Sequence, residues 1–491
     1  MKKLFLTAAA ILIASALSGC TYPIISEYNE TPASAQSGPE AGEFTSPVPG
    51  TSAASVSGLP AADLTGPEPD FAALLATLPA VTFEGRDFSV VSFDSTVSTI
   101  VGDDTSPFFA AREKRNAAIA EKYGVNFIGY TLPADEAIEK LRASAASGGE
   151  EFGSFYADLL EVPEKNAGRL VTAGLLSPFN VLPFYSQPES ENALAGRIDG
   201  KRWFDVSATA DDPENLYLLY FDNTDGCRDR LYRLSAEGKF TFEAFFEEVK
   251  NSSQFSTEDG WGLAVADGDG PALIGEAAVI RSGRRFTSSG SGNRTVSWLD
   301  EGTLAYFEGV FSAAASSRAY LPAGQDDPSP AEIFLSGKTA FYVGKLDEIG
   351  KTLYSSQLRW GVVALPSEDG CTVSVRDNPP VLCLPVINKR TEMTGVVMSA
   401  LLMTSGNWIR ESYLPVFASE YIRDNDSYYS LKAILSETAY YDFSYIFEET
   451  AGIPGATHLG CREAAKGATA VSAIFAERIA AANASLVYRS P

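Results

Sequence analysis

The sequence predicts an α/β protein built on a mainly parallel sheet. Three observations carry that prediction. From residue 88 onward short β-rich runs alternate with helical runs, in the order strand, helix, strand, helix, strand, which is the pattern of βαβ units. Hydrophobic residues make up 45% of the 491, enough to fill cores on both faces of a sheet. Glycines close the helical runs, where a left-handed residue ends a helix.

The elements follow in order. Lys2 and Lys3 form a charged start, and Leu4 to Leu17 is an apolar run too short to span a bilayer comfortably. Leu17-Ser18-Gly19-Cys20 resembles the bacterial lipobox, so residues 1–19 read as a lipoprotein signal peptide and Cys20 as the lipidated first residue. The stretch 20–75 is rich in Ser, Pro, Gly and Ala and has no apolar periodicity, the composition of a disordered tether. Roughly 50 such residues span about 35–40 Å as a coil. No later run holds 18 uninterrupted apolar residues.

Phe88 to Phe93 reads as the first strand. Ala110 to Tyr123 reads as a helix ended by Gly124, and Val125 to Tyr130 as the second strand. Pro133 to Ser147 is a helix ended by Gly148-Gly149. Phe155 to Leu160 is the third strand, and Asn166 to Gly174 the next helix. Further on, Asn215 to Phe221, Trp261 to Val265, Thr339 to Val343 and Trp360 to Leu365 read as strands. Thr241 to Lys250 is a helix with Thr241 as its N-cap, and Pro271 to Ile280 and Asp300 to Ala315 are helical. Beyond Thr391 the chain reads as mostly helical, over 391–404, 408–414, 426–436 and 464–482.

Composition excludes several functions. The formal net charge is −25, and loss of the leader removes two lysines and no acid, making it −27. That balance excludes a nucleic-acid footprint. His458 is the one histidine, which excludes a histidine metal cluster and most histidine acid–base chemistry. Gly337-Lys338-Thr339 has the end of a phosphate-binding loop, but Glu332 stands where an earlier glycine is required. Asp267-Gly268-Asp269-Gly270 with Glu276 fits a calcium loop only in part, with Val265 at the first ligand position. Neither metal nor cofactor is expected. Without Cys20, four cysteines are left. Cys371 and Cys383 bracket a turn-rich segment, so a disulfide between them is one expectation and free buried thiols the other; Cys227 and Cys461 are open in the same way.

Several segments together resemble the extracellular solute-binding proteins of ABC importers, the family-1 type that includes maltose- and other sugar-binding proteins. The resemblance covers most of residues 85–490. Its carriers are the first strand with AAREKRNAAIAEKYGVNF, Gly148-Gly149 before Tyr156 to Leu160, Ala173 to Leu176, Asn215 to Asn223, Gly238 to Thr241, Ser336 to Phe341 and Trp360 to Pro366. Phe221-Asp222-Asn223 stands where that family has Tyr-Asn, and Phe240 where it has Trp. The resemblance implies a two-lobe, periplasmic-binding-protein-like fold of type II, with mixed sheets flanked by helices and a hinged cleft. It places lobe 1 at 76–210 and 345–388, and lobe 2 at 211–344 and 389–491. It also implies the function: a monomeric receptor, lipid-anchored at Cys20 on the outer face of a bacterial cell membrane. That receptor would capture a small solute, a carbohydrate in this family, and deliver it to an ABC permease. It would not be an enzyme.

In such a fold the ligand meets loops at strand ends facing the cleft. The expected contacts are Asp94, Ser95, Glu161, Glu164, Asp211, Asp212, Asp267, Asp269, Lys345 and Tyr441, since carboxylates accept from sugar hydroxyls and aromatic faces stack on sugars. Two other functions stand beside this one: an exported carboxylate-dependent glycoside hydrolase, and a surface adhesion or scaffold lipoprotein.

Overall fold

The computed structural model describes residues 69–93, 98–101, 108–148, 155–186, 196–198, 200–207, 213–226, 228–266, 271–282, 287–289, 294–296, 301–322, 326–368, 373–405 and 407–441. All of them belong to one unit, Ala53–Pro491. Two open sheets organise it.

The first third of the chain builds the first sheet. It runs α1 (Phe71–Leu75), β1 (Arg86–Phe93), α2 (Phe109–Tyr123), β2 (Val125–Leu132), α3 (Ala134–Ala146), β3 (Leu159–Pro163), α4 (Glu164–Thr172), β4 (Leu176–Ser177), β5 (Arg197–Ile198), β6 (Lys201–Arg202) and β7 (Phe204–Asp205). β2, β1 and β3 pair in parallel. β1 is buried on both faces from Phe88 to Phe93, as a strand covered by helices on each side must be. Gly124 ends α2 at φ +59. A Cβ there would lie 2.8 Å from Thr82 Oγ1, so both conformation and space require glycine.

The middle builds the second sheet. Its elements are β8 (Tyr217–Asp222), α5 (Arg230–Ala236), α6 (Phe242–Asn251), β9 (Leu263–Val265), α7 (Pro271–Arg281), β10 (Thr287–Ser289), β11 (Arg294–Val296), α8 (Glu301–Ala315), β12 (Ala319–Tyr320), α9 (Pro330–Leu335), β13 (Phe341–Lys345) and β14 (Trp360–Val363). The sheet order is β12-β9-β13-β8-β14, with β8 antiparallel to both neighbours. The Thr241 hydroxyl accepts from Ala244 N at 3.2 Å, so the N-cap read from the sequence of α6 is present. Ser329 and Glu332 form a reciprocal capping box on α9.

The rest of the chain serves both sheets: β15 (Val373–Ser374), β16 (Pro380–Pro385), α10 (Thr391–Thr404), α11 (Asn407–Tyr421), α12 (Asn425–Leu435) and β17 (Thr438–Ala439). β16 enters the first sheet antiparallel to β3, with β4 and β7 on its far edge. α10 packs Met393, Val396, Val397 and Leu401 onto β1 and β16. α11 and α12 pack Tyr413, Phe417, Leu431 and Ile434 onto Tyr220, Tyr342 and Trp360 of the second sheet. Among the described residues, no helix is long and apolar enough to cross a membrane.

This arrangement corrects several expectations. The third strand is Leu159–Pro163, not 155–160, and α4 starts at Glu164. Trp360–Val363 pairs with β8 in the second sheet, so residues 345–365 do not belong to lobe 1. The return crossing therefore lies at 373–379 instead of at the expected boundary between 344 and 345. There Leu216 bridges Arg376, and Tyr217 N donates to Val375 O at 2.9 Å. α10 belongs to the first sheet, so the next crossing is 405–407, not the expected boundary between 388 and 389. A last return follows: β17 lies beside β15, and Tyr441 is buried in the core of the first sheet. α1 docks Leu75 into the body, so the tether cannot extend to residue 75. Cys383 is a free thiol at the centre of β16, packed with Leu160 and Phe204, which removes the Cys371–Cys383 pairing. Cys227, Cys371, Cys461 and the helix read over 464–482 lie outside the described residues.

Four acids, Asp158 and Asp205 fully buried and Glu348 and Glu437 half-buried, have surroundings that raise their carboxyls. Asp158 accepts from Ser89 N and Tyr156 Oη, both at 2.9 Å. Asp205 accepts from Tyr185 Oη, Glu348 from Tyr342 Oη, and Glu437 pairs with Arg281. Burial raises all four carboxyls above their ordinary values, against the pull of their hydrogen-bond partners. A raised carboxyl means that the folded state holds the proton more tightly. Its contribution is full below the ordinary carboxylate range and is lost as pH rises through the raised values. The melting temperature is therefore expected to rise as pH falls through the raised values toward the ordinary carboxylate range; a fall in calorimetry on that approach contradicts this assignment.

Candidate functional site

The C-terminal ends of β1, β2 and β3 point the same way, so their loops gather at one edge of the first sheet. At that edge Glu161 of β3 pairs with Ser92 of β1 and with Leu382 of β16, and Leu382 pairs on its other side with Asp205 of β7. Residues directly opposed share a face. Ser92, Glu161, Leu382 and Asp205 thus form one row, the backbones of its two acids about 9.5 Å apart, or two strand spacings. Both acids are fully buried.

Each carboxylate holds the root of a loop. Glu161 accepts from Ser92 Oγ at 3.0 Å, from Thr99 N at 2.7 Å, and from the hydroxyls of Ser98 and Thr99. α2 takes the carbonyls of the same segment. Arg112 donates to Ser98 O at 3.1 Å, Arg115 to Thr99 O at 3.0 Å and Ile100 O at 3.2 Å, and Asn116 to Ile100 O at 2.6 Å. Arg115 also donates to Ser405 Oγ at 3.0 Å, in the crossing between α10 and α11. Burial, with Arg112 adding to it, lowers the Arg115 guanidinium to about 9, while Glu161 and Glu113 pull it back up. Asp205 accepts from Tyr185 Oη and from Ser207 N at 2.7 Å, just before the first crossing. Segment 98–101, beyond β1, and Ser207, beyond β7, are therefore both anchored by buried acids.

On the second sheet the matching edge carries the ends of β9 and β13. Ala266 N donates to Val343 O at 2.7 Å and fixes the exit of β9. Lys345 ends β13 with its ammonium 2.7 Å from Asp377 Oδ2, and its carbonyl accepts from Tyr220 Oη at 2.8 Å. Asp377 N in turn donates to Asn215 O at 2.9 Å in the opposing crossing strand. Asn378 follows at φ +44, and its side chain accepts from Lys165 N at the start of α4.

The ten expected contacts divide cleanly. Asp94, Ser95, Asp211, Asp212, Asp267 and Asp269 lie outside the described residues. Glu161 sits inside β3 with its oxygens engaged, so it shapes a loop instead of following the strand. Glu164 is the buried first residue of α4, its N–H donating to Pro379 O at 3.0 Å. Lys345 is paired with a crossing strand. Tyr441 is 1% exposed and donates to Pro380 O at 3.1 Å, a core role imposed by the return of β17 to the first sheet. Asp205, Arg112 and Arg115 were missed. The signal for the arginines was present: 112, 115, 119 and 123 are spaced by three and four, so they share the buried stripe of α2 with Ile119 and Tyr123.

Two mixed sheets, each with one antiparallel strand and joined by repeated crossings, define a two-lobe binding-protein fold. Solved structures agree. The galacto-N-biose-/lacto-N-biose I-binding protein of an ABC transporter from Bifidobacterium longum is 12% identical, with 81% of this chain and 96% of that chain covered and a TM-score of 0.51. The cyclic alpha-maltosyl-1,6-maltose binding protein from Arthrobacter globiformis is 14% identical, with 82% and 98% covered and a TM-score of 0.54. The chain thus has the fold of periplasmic-binding-protein-like ABC substrate-binding proteins. No protein-family profile matches the sequence, and no curated protein matches it.

Proposed function

We propose that this chain is an extracellular receptor that captures a carbohydrate between its two lobes and delivers it to an ABC permease. The observation that carries the reading is the paired architecture itself: two open sheets, the loop-bearing edge of the first held by the buried acids Glu161 and Asp205 and that of the second by the Lys345–Asp377 pair, joined by crossings that include 213–217, 373–379 and 437–441 and the link between α10 and α11. Such a body can close on a solute by small changes in a few crossing residues. The two related structures bind sugars, which supports a sugar here. The lipobox supports a lipid anchor at Cys20, outside the cytoplasm, and the tether supports a monomer held off the membrane. The chemistry of this reading is binding, not bond cleavage: of the acids expected to contact ligand, the two that the structure describes, Glu161 and Glu164, are built into the interior.

The test is a thermal-shift panel of oligosaccharides, peptides and polyamines on the mature chain. A bound solute at 100 times its Kd adds about 2.7 kcal/mol, which for a body of this size is a rise of about 3 °C. An oligosaccharide is expected to give that shift and to be recovered unchanged. A shift from peptides or polyamines alone overturns the carbohydrate assignment, and cleavage of the sugar favours the hydrolase.

A further inference from the structure

The chain enters the first sheet through an N-terminal arm, residues 69–85. Asp70 caps α1 by accepting from Ala73 N at 3.0 Å. Leu75 is buried with β1, α2 and α10, and Leu78, Val81 and Phe83 pack against the same cluster. Lys122 of α2 donates to Leu75 O, and Phe83 N donates to Tyr123 O at 2.7 Å. The arm is therefore built onto the first lobe.

Two of its side chains reach further. The Thr77 hydroxyl, which donates to Leu74 O at 3.1 Å, also lies 3.7 Å from Met403 Sδ, in the last turn of α10. The Phe71 ring meets the Trp408 ring edge to face, with centroids 5.0 Å apart and planes at 87°. Trp408 stands in the first turn of α11 and packs against the core of the second lobe. Met403 and Trp408 flank the 405–407 crossing, the one that Arg115 holds at Ser405. A second ring contact lies close by: Phe108, at the start of α2, packs on Tyr413 with centroids 3.8 Å apart.

We propose that the N-terminal arm is a latch on this crossing. Docking of Phe71 onto Trp408 joins the root of the tether to the second lobe, while the rest of the arm stays on the first. A contact made in one lobe arrangement and weakened in another shifts the balance between them. By reciprocity, displacing the arm changes the arrangement of the lobes, and rearranging the lobes loosens the arm. The inference rests on the reading that the lobes move, but its test needs no solute.

The experiment places a donor and an acceptor dye, through amber-suppressed residues, at exposed Ala143 on α3 and Lys250 on α6 of the full mature chain. Interlobe distance distributions are recorded for the wild type, Phe71→Ala and Phe71→Leu, with tryptophan emission read beside them. Phe71→Ala is expected to red-shift the emission and to change the ratio of the two interlobe populations about 2- to 10-fold, the reach of one aromatic pair. Phe71→Leu, which keeps apolar bulk on Trp408, is expected to fall between alanine and wild type, and it carries the test if the alanine variant does not fold. Superposable distributions with shifted emission overturn the latch. Unshifted emission overturns the contact. A chain that binds no carbohydrate yet shows the population change retains the latch and loses the receptor reading.

Discussion

Glu161→Ala is expected to lower the unfolding free energy by about 4 kcal/mol and to weaken solute binding at least about tenfold. The carboxylate is completely buried and satisfies the Thr99 N–H and three hydroxyls. Alanine leaves those donors without an acceptor in a site closed to water, and each unmet buried donor costs about 1–3 kcal/mol, less than additively. It also removes the negative charge that faces the buried guanidinium of Arg115. Segment 98–101 then loses one of its two supports, keeping only the carbonyl bonds from α2. Because the loop leaving β1 hangs from that segment, the binding loss exceeds what stability alone predicts. Glu161→Gln keeps one acceptor oxygen and is expected to cost about half as much. Urea denaturation gives the free energies and titration calorimetry gives the affinities. A loss under about 1 kcal/mol for alanine contradicts the anchoring role.

The same residue shows where local sequence stops being informative. Glu161 follows an apolar run, so it reads as the first loop residue after a strand. Its burial depends on Ser98 and Thr99, sixty residues earlier, and no local pattern records that pairing. The helices and strands of the first lobe were legible because their signals are local: Gly124 and Gly148 are both left-handed in the structure, and α2 and α3 end beside them. Lobe membership was not legible. Trp360–Val363 is four buried residues whose partner is β8, some 140 positions away, and nothing within it states which sheet it joins. α10 is buried nearly all round, so it presents no stripe that indicates a direction. α11 reads as ending at Leu414 because Pro415 follows, yet the helix continues to Tyr421 with the proline inside it. Its rings at 413, 417 and 421 stack one turn apart, and that packing holds the turn the proline weakens.

Arg281→Met is expected to destabilise the protein by about 3 kcal/mol, and adding Glu437→Leu to recover most of the loss. Arg281 ends α7, is 4% exposed, and donates to Glu437 Oε2 at 2.5 Å and to Val373 O at 2.6 Å. Those partners lie next to β17 and within β15, the two strands that run side by side between the lobes. One guanidinium therefore fixes two crossing segments to the second lobe. Without it, Glu437 is a half-buried carboxylate whose charge is favoured, among the described residues, by Arg376. Its carboxyl, already raised by burial, rises further. The single variant should thus recover part of its deficit as pH falls from 7.5 toward the ordinary carboxylate range, because protonation removes the unpaired charge. The double variant has no such group and should show no recovery beyond that of the wild type. A double-mutant cycle at the two ends of that range separates the contributions. A coupling energy that shrinks on acidification belongs to the ion pair. A deficit that persists unchanged in both variants belongs to the carbonyl of Val373, and the crossing is then held by that hydrogen bond instead of by charge.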